Sequence, residues 1–204
     1  MKRFDHAARR ALVASLVVVV LLFVATACLA RWGVLSGLDQ WSRSLVHDGG
    51  ASALKRPMRL VSDLAHGTVL LPLTLACSVY LWRRGRTRLA VALPLIGVAA
   101  VVTLPLLKSI VNKPRPSLRD YGFPSGHTFA ATVFVVMAIY LSWHLDAPRR
   151  WQRLVRAAGL IFVVAVGASR LFVNAHWLSD VVGGLLAGLA FALVTMLIVD
   201  ARLR

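Results

Sequence analysis

The amino-acid sequence predicts an all-α, polytopic membrane protein built as a bundle of six transmembrane helices. Of its 204 residues 58% are hydrophobic, and they gather into six long runs. Each run meets or approaches the roughly 20 residues that a helix needs to cross a bilayer core of about 30 Å. The charge is one-signed, with 24 Lys and Arg against 8 Asp and Glu. The basic residues nevertheless fall in short clusters between the apolar runs. A nucleic-acid-binding domain would collect them on one face, whereas membrane loops space them in this way. Nucleic acid is therefore not an expected partner.

The spans lie near 11–30, 64–82, 89–107, 126–143, 157–174 and 179–199. The first follows Lys2, Arg3, Arg9 and Arg10 and superficially resembles a secretory signal. It lacks a clear small-residue cleavage pattern and further spans follow, so it reads as a retained helix. Between the first two spans, the loop 31–63 contains "LDQWSRSLV", where Asp39 is placed to cap a short amphipathic helix on the outer surface, a lid or substrate rim. Pro72 in the second span and Pro94 and Pro105 in the third predict kinks, tolerated where neighbours satisfy the freed carbonyls. In the sixth span Gly183, Gly184 and Gly188 predict close helix packing. Cys28 and Cys77 lie within apolar runs and read as small buried hydrophobes. No internal repeat or second domain is visible, so one membrane-embedded domain is expected over residues 1–204.

Orientation follows from the flanking charges. The tails and even-numbered loops carry 14 Lys and Arg and the odd-numbered loops 10, which puts both termini in the cytoplasm. Trp32, Trp41, Trp82, Trp143, Trp151 and Trp177 all fall at or near span ends, where indole rings sit at headgroup level.

Three polar stretches then share the extracytoplasmic side: "KSIVNKPRP" (Lys108–Pro116), "PSGH" (Pro124–His127) and "SRLFVNAHWLSD" (Ser169–Asp180). Arg115 and Arg170 carry planar forks that suit two phosphate oxygens at once, and Lys108 is a mobile point charge. Such a trio calls for an anion. Ser125 reads as a helix N-cap, and Gly126 leaves the first backbone N–H groups uncovered, a second anion cradle with His127 in its first turn. His176 and Asp180 are four residues apart and share a helix face if the sixth span begins near them. The carboxylate would then fix the imidazole tautomer and leave Nε2 free to attack phosphorus. Asp63 and His66, at the outer end of the second span, are too few for a metal site and read as interfacial hydrogen-bonding groups or the lining of a substrate entrance. Ser169 either supports Arg170 or is simply a small residue at a helix end.

The pattern K-x6-R-P, P-S-G-H and S-R-x5-H-x3-D, filled by Lys108, Arg115, Pro116, Pro124–His127, Ser169, Arg170, His176 and Asp180, resembles the signature of the type-2 phosphatidic acid phosphatase and vanadium haloperoxidase superfamily. The motif core runs over 108–180, and six spans match its integral-membrane lipid phosphatase branch. The resemblance implies a metal-independent phosphatase without a cofactor. His176 would be the nucleophile of a phosphohistidine intermediate, Asp180 its orienting group and His127 the general acid. Lys108, Arg115, Ser125, Gly126 and Arg170 would hold the phosphoryl oxygens. The implied substrate is a lipid phosphate or diphosphate of the undecaprenyl diphosphate, phosphatidylglycerophosphate, phosphatidate or lipid A type. The implied location is the inner (plasma) membrane, with membrane lipids as partners and the site on the periplasmic or extracellular face. A phosphotransferase using the same intermediate stays open, as does an anion transporter. A haloperoxidase is disfavoured because those relatives are typically soluble.

Overall fold

The computed structural model describes residues 4–47, 51–116 and 122–202. Lys2, Arg3, Arg119 and Arg204, counted above among the flanking charges, lie outside them. The described chain forms α1 (His6–Arg31), α2 (Ser36–His47), a 3-10 turn (Ala51–Leu54), α3 (Lys55–Leu64), α4 (Gly67–Arg83), α5 (Thr87–Val111), α6 (Gly126–His144), α7 (Arg149–Phe172) and α8 (Leu178–Arg202). Among the described residues six segments are long and apolar enough to cross a bilayer: α1, the joined α3–α4 segment, α5, α6, α7 and α8. The protein is thus an all-α polytopic bundle.

The second span starts about one helix earlier than the apolar pattern indicated, because α3 continues almost directly into α4. Only Ala65 and His66 separate the two helices. The fifth span likewise begins at Arg149, where the basic stretch after Pro148 is already helical. Asp39 departs from its expected role. It sits inside the first turn of α2 rather than at its cap, is buried, and bonds to the start of α8. α2 therefore packs on the bundle against α7 and α8.

α6 is the centre of the architecture, packed on both α7 and α8, while α1 lies along α8 and α4 pairs with α5. The α6–α8 crossing is tight because α8 offers glycines. A Cβ on Gly184 would stand 2.5 Å from the Ser125 carbonyl oxygen, and one on Gly188 would stand 2.8 Å from Thr132 Cβ. Where lipid tails give no hydrophobic drive for helix pairing, such backbone proximity supplies the van der Waals contact. Pro94, inside α5, cannot bond the carbonyl of Ala90 one turn back. The Ser78 hydroxyl of α4 donates to that carbonyl instead, so the α4–α5 pairing compensates for the proline. At the far end of α5, Asn112 adopts a left-handed cap (φ 51°), and Arg31 Nη1 of α1 donates to the Val111 carbonyl at 2.9 Å.

Polarity separates the two ends of the bundle. Phe4 N donates to Asp200 Oδ1 at 3.1 Å, the Phe4 ring stacks on Trp143, and Arg88 Nη1 reaches the Arg202 carbonyl. The described chain ends, the α4–α5 turn and the α6–α7 turn thus share one end. The three polar stretches lie at the other.

Gly184→Ala should lower the thermal midpoint in detergent, since overpacking costs about 1–3 kcal/mol. Gly97→Ala, where a Cβ meets nothing within 4 Å, is the matched control and should leave the midpoint unchanged or raise it. Equal midpoints for the two variants would mean that the α6–α8 contact is looser than described.

Candidate active site

The first turn of α8 builds the centre of the site. Asp180 is fully buried, and its Oδ2 accepts from the Trp177 backbone N–H at 3.0 Å, closing the N-terminus of α8 much as the acidic residue of a capping box does. The same Oδ2 lies 3.2 Å from His176 Nδ1. Asp180 therefore accepts the Nδ1 proton, which fixes the tautomer and leaves Nε2 with its lone pair. The sequence expectation for this pair holds in position and spacing, although His176 stands just before α8 rather than on it.

The other two polar stretches reach the same point through the backbone. Ser125 N donates to the Asp180 carbonyl at 2.9 Å, which joins the PSGH turn to α8. Gly122 N donates to the Lys113 carbonyl, and the Trp177 indole Nε1 donates to the Pro114 carbonyl at 3.0 Å. Gly122 has no room for a side chain, since a Cβ there would stand 2.7 Å from Asp180 Oδ2 and 3.1 Å from Arg115 Cγ. That close approach brings the stem of Arg115 beside the His176–Asp180 pair.

Ser125 is the N-cap of α6, as expected, but its hydroxyl accepts from Thr128 Oγ1 at 3.1 Å and does not cap its own helix. The first N–H groups of α6 are thus left for another acceptor. His127 follows in that turn. Arg170, His66, His176 and Arg115 all lie close enough to act electrostatically on its ring. Arg170 Nη1 donates to the buried Ser62 hydroxyl of α3, and its Nε is buried without a hydrogen-bond partner among the described residues. Ser169 does not support Arg170 by a hydrogen bond, because its hydroxyl donates to Val166 O of its own helix at 2.6 Å. Lys108 is half-buried in the last turn of α5. It is one turn beyond Leu104, whose Cδ2 would stand 2.9 Å from a Cβ on Gly126, so its helix face is the one turned towards the start of α6. Of the residues singled out from sequence, His127, Arg115, Arg170, His176 and Asp180 come together with the Ser125–Gly126 turn, and Lys108 lies on the adjoining helix end.

Sequence reading missed a second network. Lys113 Nζ contacts Asp39 Oδ2 at 2.6 Å, the Ser179 hydroxyl, and Asp180 Oδ1 at 3.5 Å. At that last distance the pairing is one of charge, and Oδ1 has no hydrogen bond among the described residues. Asp39 also accepts from Ser179 N at 2.9 Å, so it serves as a cap for α8 supplied from α2. The available signals were Lys113 within the first motif and the scarcity of acidic residues in so basic a chain. Neither reveals the partner.

Burial holds the pKa of His176 below the ordinary imidazole value, opposed by the Asp180 hydrogen bond and charge and reinforced by Arg170 and Arg115. The ring is accordingly neutral at pH 7, the state in which Nε2 is nucleophilic.

The PAP2 superfamily model matches residues 87–204, and the chain belongs to that superfamily. It is 27% identical over 143 residues to phosphatidylglycerophosphatase B of Bacillus subtilis, covering 67% of this chain and 70% of that one. It is 34% identical over 76 residues to the undecaprenyl-diphosphatase of Sulfolobus acidocaldarius, covering 37% and 32%. The fold matches the crystal structure of a transmembrane PAP2-type phosphatidylglycerolphosphate phosphatase from Bacillus subtilis, with a TM-score of 0.81 at 22% identity over 93% of this chain and 97% of that one.

Nitrogen NMR of labelled histidine should show the His176 ring titrating below about pH 6.5, its unperturbed value. The sign for stability follows. An unfolded imidazole takes up a proton that the buried ring resists, so this group's contribution is present above about pH 6.5 and declines as pH falls below it. Titration at or above 6.5 would contradict the burial argument. Asp39→Ala takes from the largely buried Lys113 its closer carboxylate and leaves it Asp180 Oδ1 at 3.5 Å, so the variant should lose stability by up to about 3–5 kcal/mol. A thermal midpoint equal to wild type would show that the network carries no weight.

Proposed function

We propose that the protein is a lipid phosphatase that hydrolyses a lipid phosphate or diphosphate through a phosphohistidine on His176. The carrying observation is the buried His176–Asp180 pair facing His127 and the two guanidinium groups of Arg115 and Arg170. Nε2 of His176 attacks phosphorus and forms a P–N bond as the P–O bond to the leaving group breaks. His127 gives its proton to the departing oxygen. Asp180 stabilises the positive charge that grows on the attacking ring. Water then attacks the phosphohistidine, His127 takes the proton, the P–N bond breaks, and orthophosphate leaves. Throughout, Arg115, Arg170, Lys108 and the first N–H groups of α6 stabilise charge on the equatorial oxygens, the role for which fixed donors are most effective. Cations already present in the chain meet the electrostatic demand without a metal.

The lipid character of the substrate is supported by the position of the site at one end of the bundle, where a phosphorylated headgroup enters from the boundary while its tail remains in lipid. The names of the relatives point to the same substrate class. On the charge-bias rule both termini face the cytoplasm and the site opens on the extracytoplasmic side of the inner (plasma) membrane.

Purified protein in detergent with excess chelator should release one orthophosphate for each lipid monophosphate consumed. His176→Ala should lower turnover by at least about 10³-fold, as removal of a covalent nucleophile does. Loss of activity with chelator would overturn the metal-free mechanism, and turnover surviving in His176→Ala would overturn the nucleophile.

A further inference from the structure

We propose that His66 forms a second phosphoryl subsite beside His127 and makes the site selective for lipid diphosphates over phosphate monoesters. This rests on the phosphatase reading above and narrows its substrate. His66 occupies the break between α3 and α4 and is the N-cap of α4. Its Nδ1 accepts from Thr68 N at 3.3 Å and lies 2.9 Å from Thr68 Oγ1. A ring nitrogen that accepts carries no proton, so that bond assigns the proton of the neutral ring to Nε2. His66 is therefore prepared to donate at its other edge. Its ring centre lies 5.7 Å from that of His127, with the planes inclined by 40°. The segment is also held in place, because Ser62 in the preceding turn accepts from Arg170 Nη1. Asp63, the nearby carboxylate, has its charge directed towards Arg170.

The chemistry gives this adjacency a meaning. When His176 attacks the terminal phosphorus of a diphosphate, the bond that breaks runs to the bridging oxygen, and His127 must protonate that oxygen. The second phosphorus, with its own anionic oxygens, then necessarily adjoins His127. His66 is a donor adjoining His127 that the machinery for the terminal phosphoryl group does not use. A monoester places a carbon at the same point and offers Nε2–H nothing to bond. Hydrogen bonds to a charged acceptor are worth about tenfold to a hundredfold in binding, and that is the selectivity expected from His66.

The test must separate this role from simple capping of α4. Asn is a good N-cap residue, so His66→Asn keeps an acceptor for Thr68 N while withdrawing the reach to substrate. Wild type and His66→Asn would be compared by kcat/KM for farnesyl diphosphate and farnesyl monophosphate, which share one tail. Full-length protein in detergent would be used for both. The diphosphate value should fall about 10–100-fold in the variant and the monophosphate value far less. An unchanged ratio, or an equal fall on both substrates, would overturn the subsite. Thermal stabilisation by inorganic pyrophosphate relative to orthophosphate gives a readout independent of turnover. Wild type should favour pyrophosphate, and His66→Asn should lose that preference. If neither lipid is hydrolysed while the pyrophosphate preference holds, the phosphatase reading fails and the subsite stands. No preference in wild type removes the subsite alone.

Discussion

The buried carboxylate of Asp180 joins the three polar stretches of the chain. It accepts from His176 Nδ1 and from the Trp177 backbone, faces Lys113 across 3.5 Å, and presses on Gly122, while its own carbonyl takes the Ser125 N–H. A carboxylate taken wholly out of water loses several kcal/mol of solvation. The fold tolerates that loss only because these donors and the Lys113 charge converge on it. The residue that holds the charge also positions the chemistry, since the imidazole bonds its carboxylate, the start of α6 bonds its backbone carbonyl, and Gly122 lies between its carboxylate and the stem of Arg115. Lys113 and Asp39 extend the arrangement to α2, which is thereby tied to the start of α8.

The bundle beneath is arranged to permit this convergence. α6 and α8 must approach closely for the Ser125 N–H to reach the Asp180 carbonyl, and the glycines of α8 allow it. α5 must also end beside the same turn. It carries Pro94 at the cost of one backbone bond, offset by Ser78 from α4. Arg31 and Asn112 close its final turn, so that the segment from Lys113 to Arg115 leaves towards α8.

Much of this was legible in the sequence, because the strongest signals are local. Apolar run length located six spans, spacing of four paired His176 with Asp180, and the small residues of the sixth span foretold that it packs closely, though not that α6 is its partner. What escaped reading depended on partners distant in the chain. Asp39 looked like a cap for its own helix, since nothing local reveals that its acceptor oxygens meet Ser179, 140 positions away. Ser62 carries no pattern at all, yet it holds Arg170 from 108 positions away. The early start of the second span was hidden because α3 is basic and amphipathic, so apolar run length alone does not register it.

In the proposed mechanism phosphorus passes through a bond to one ring nitrogen. The most direct measurement is to mix the purified protein with a lipid substrate labelled in the transferred phosphoryl group, quench within the first turnover, and locate the label by peptide mapping. The label should reside in an acid-labile, base-stable phosphoramidate on His176 and be discharged when water is allowed to react. Label on another residue, or product oxygen whose stereochemistry at phosphorus shows one inversion instead of two, would contradict it.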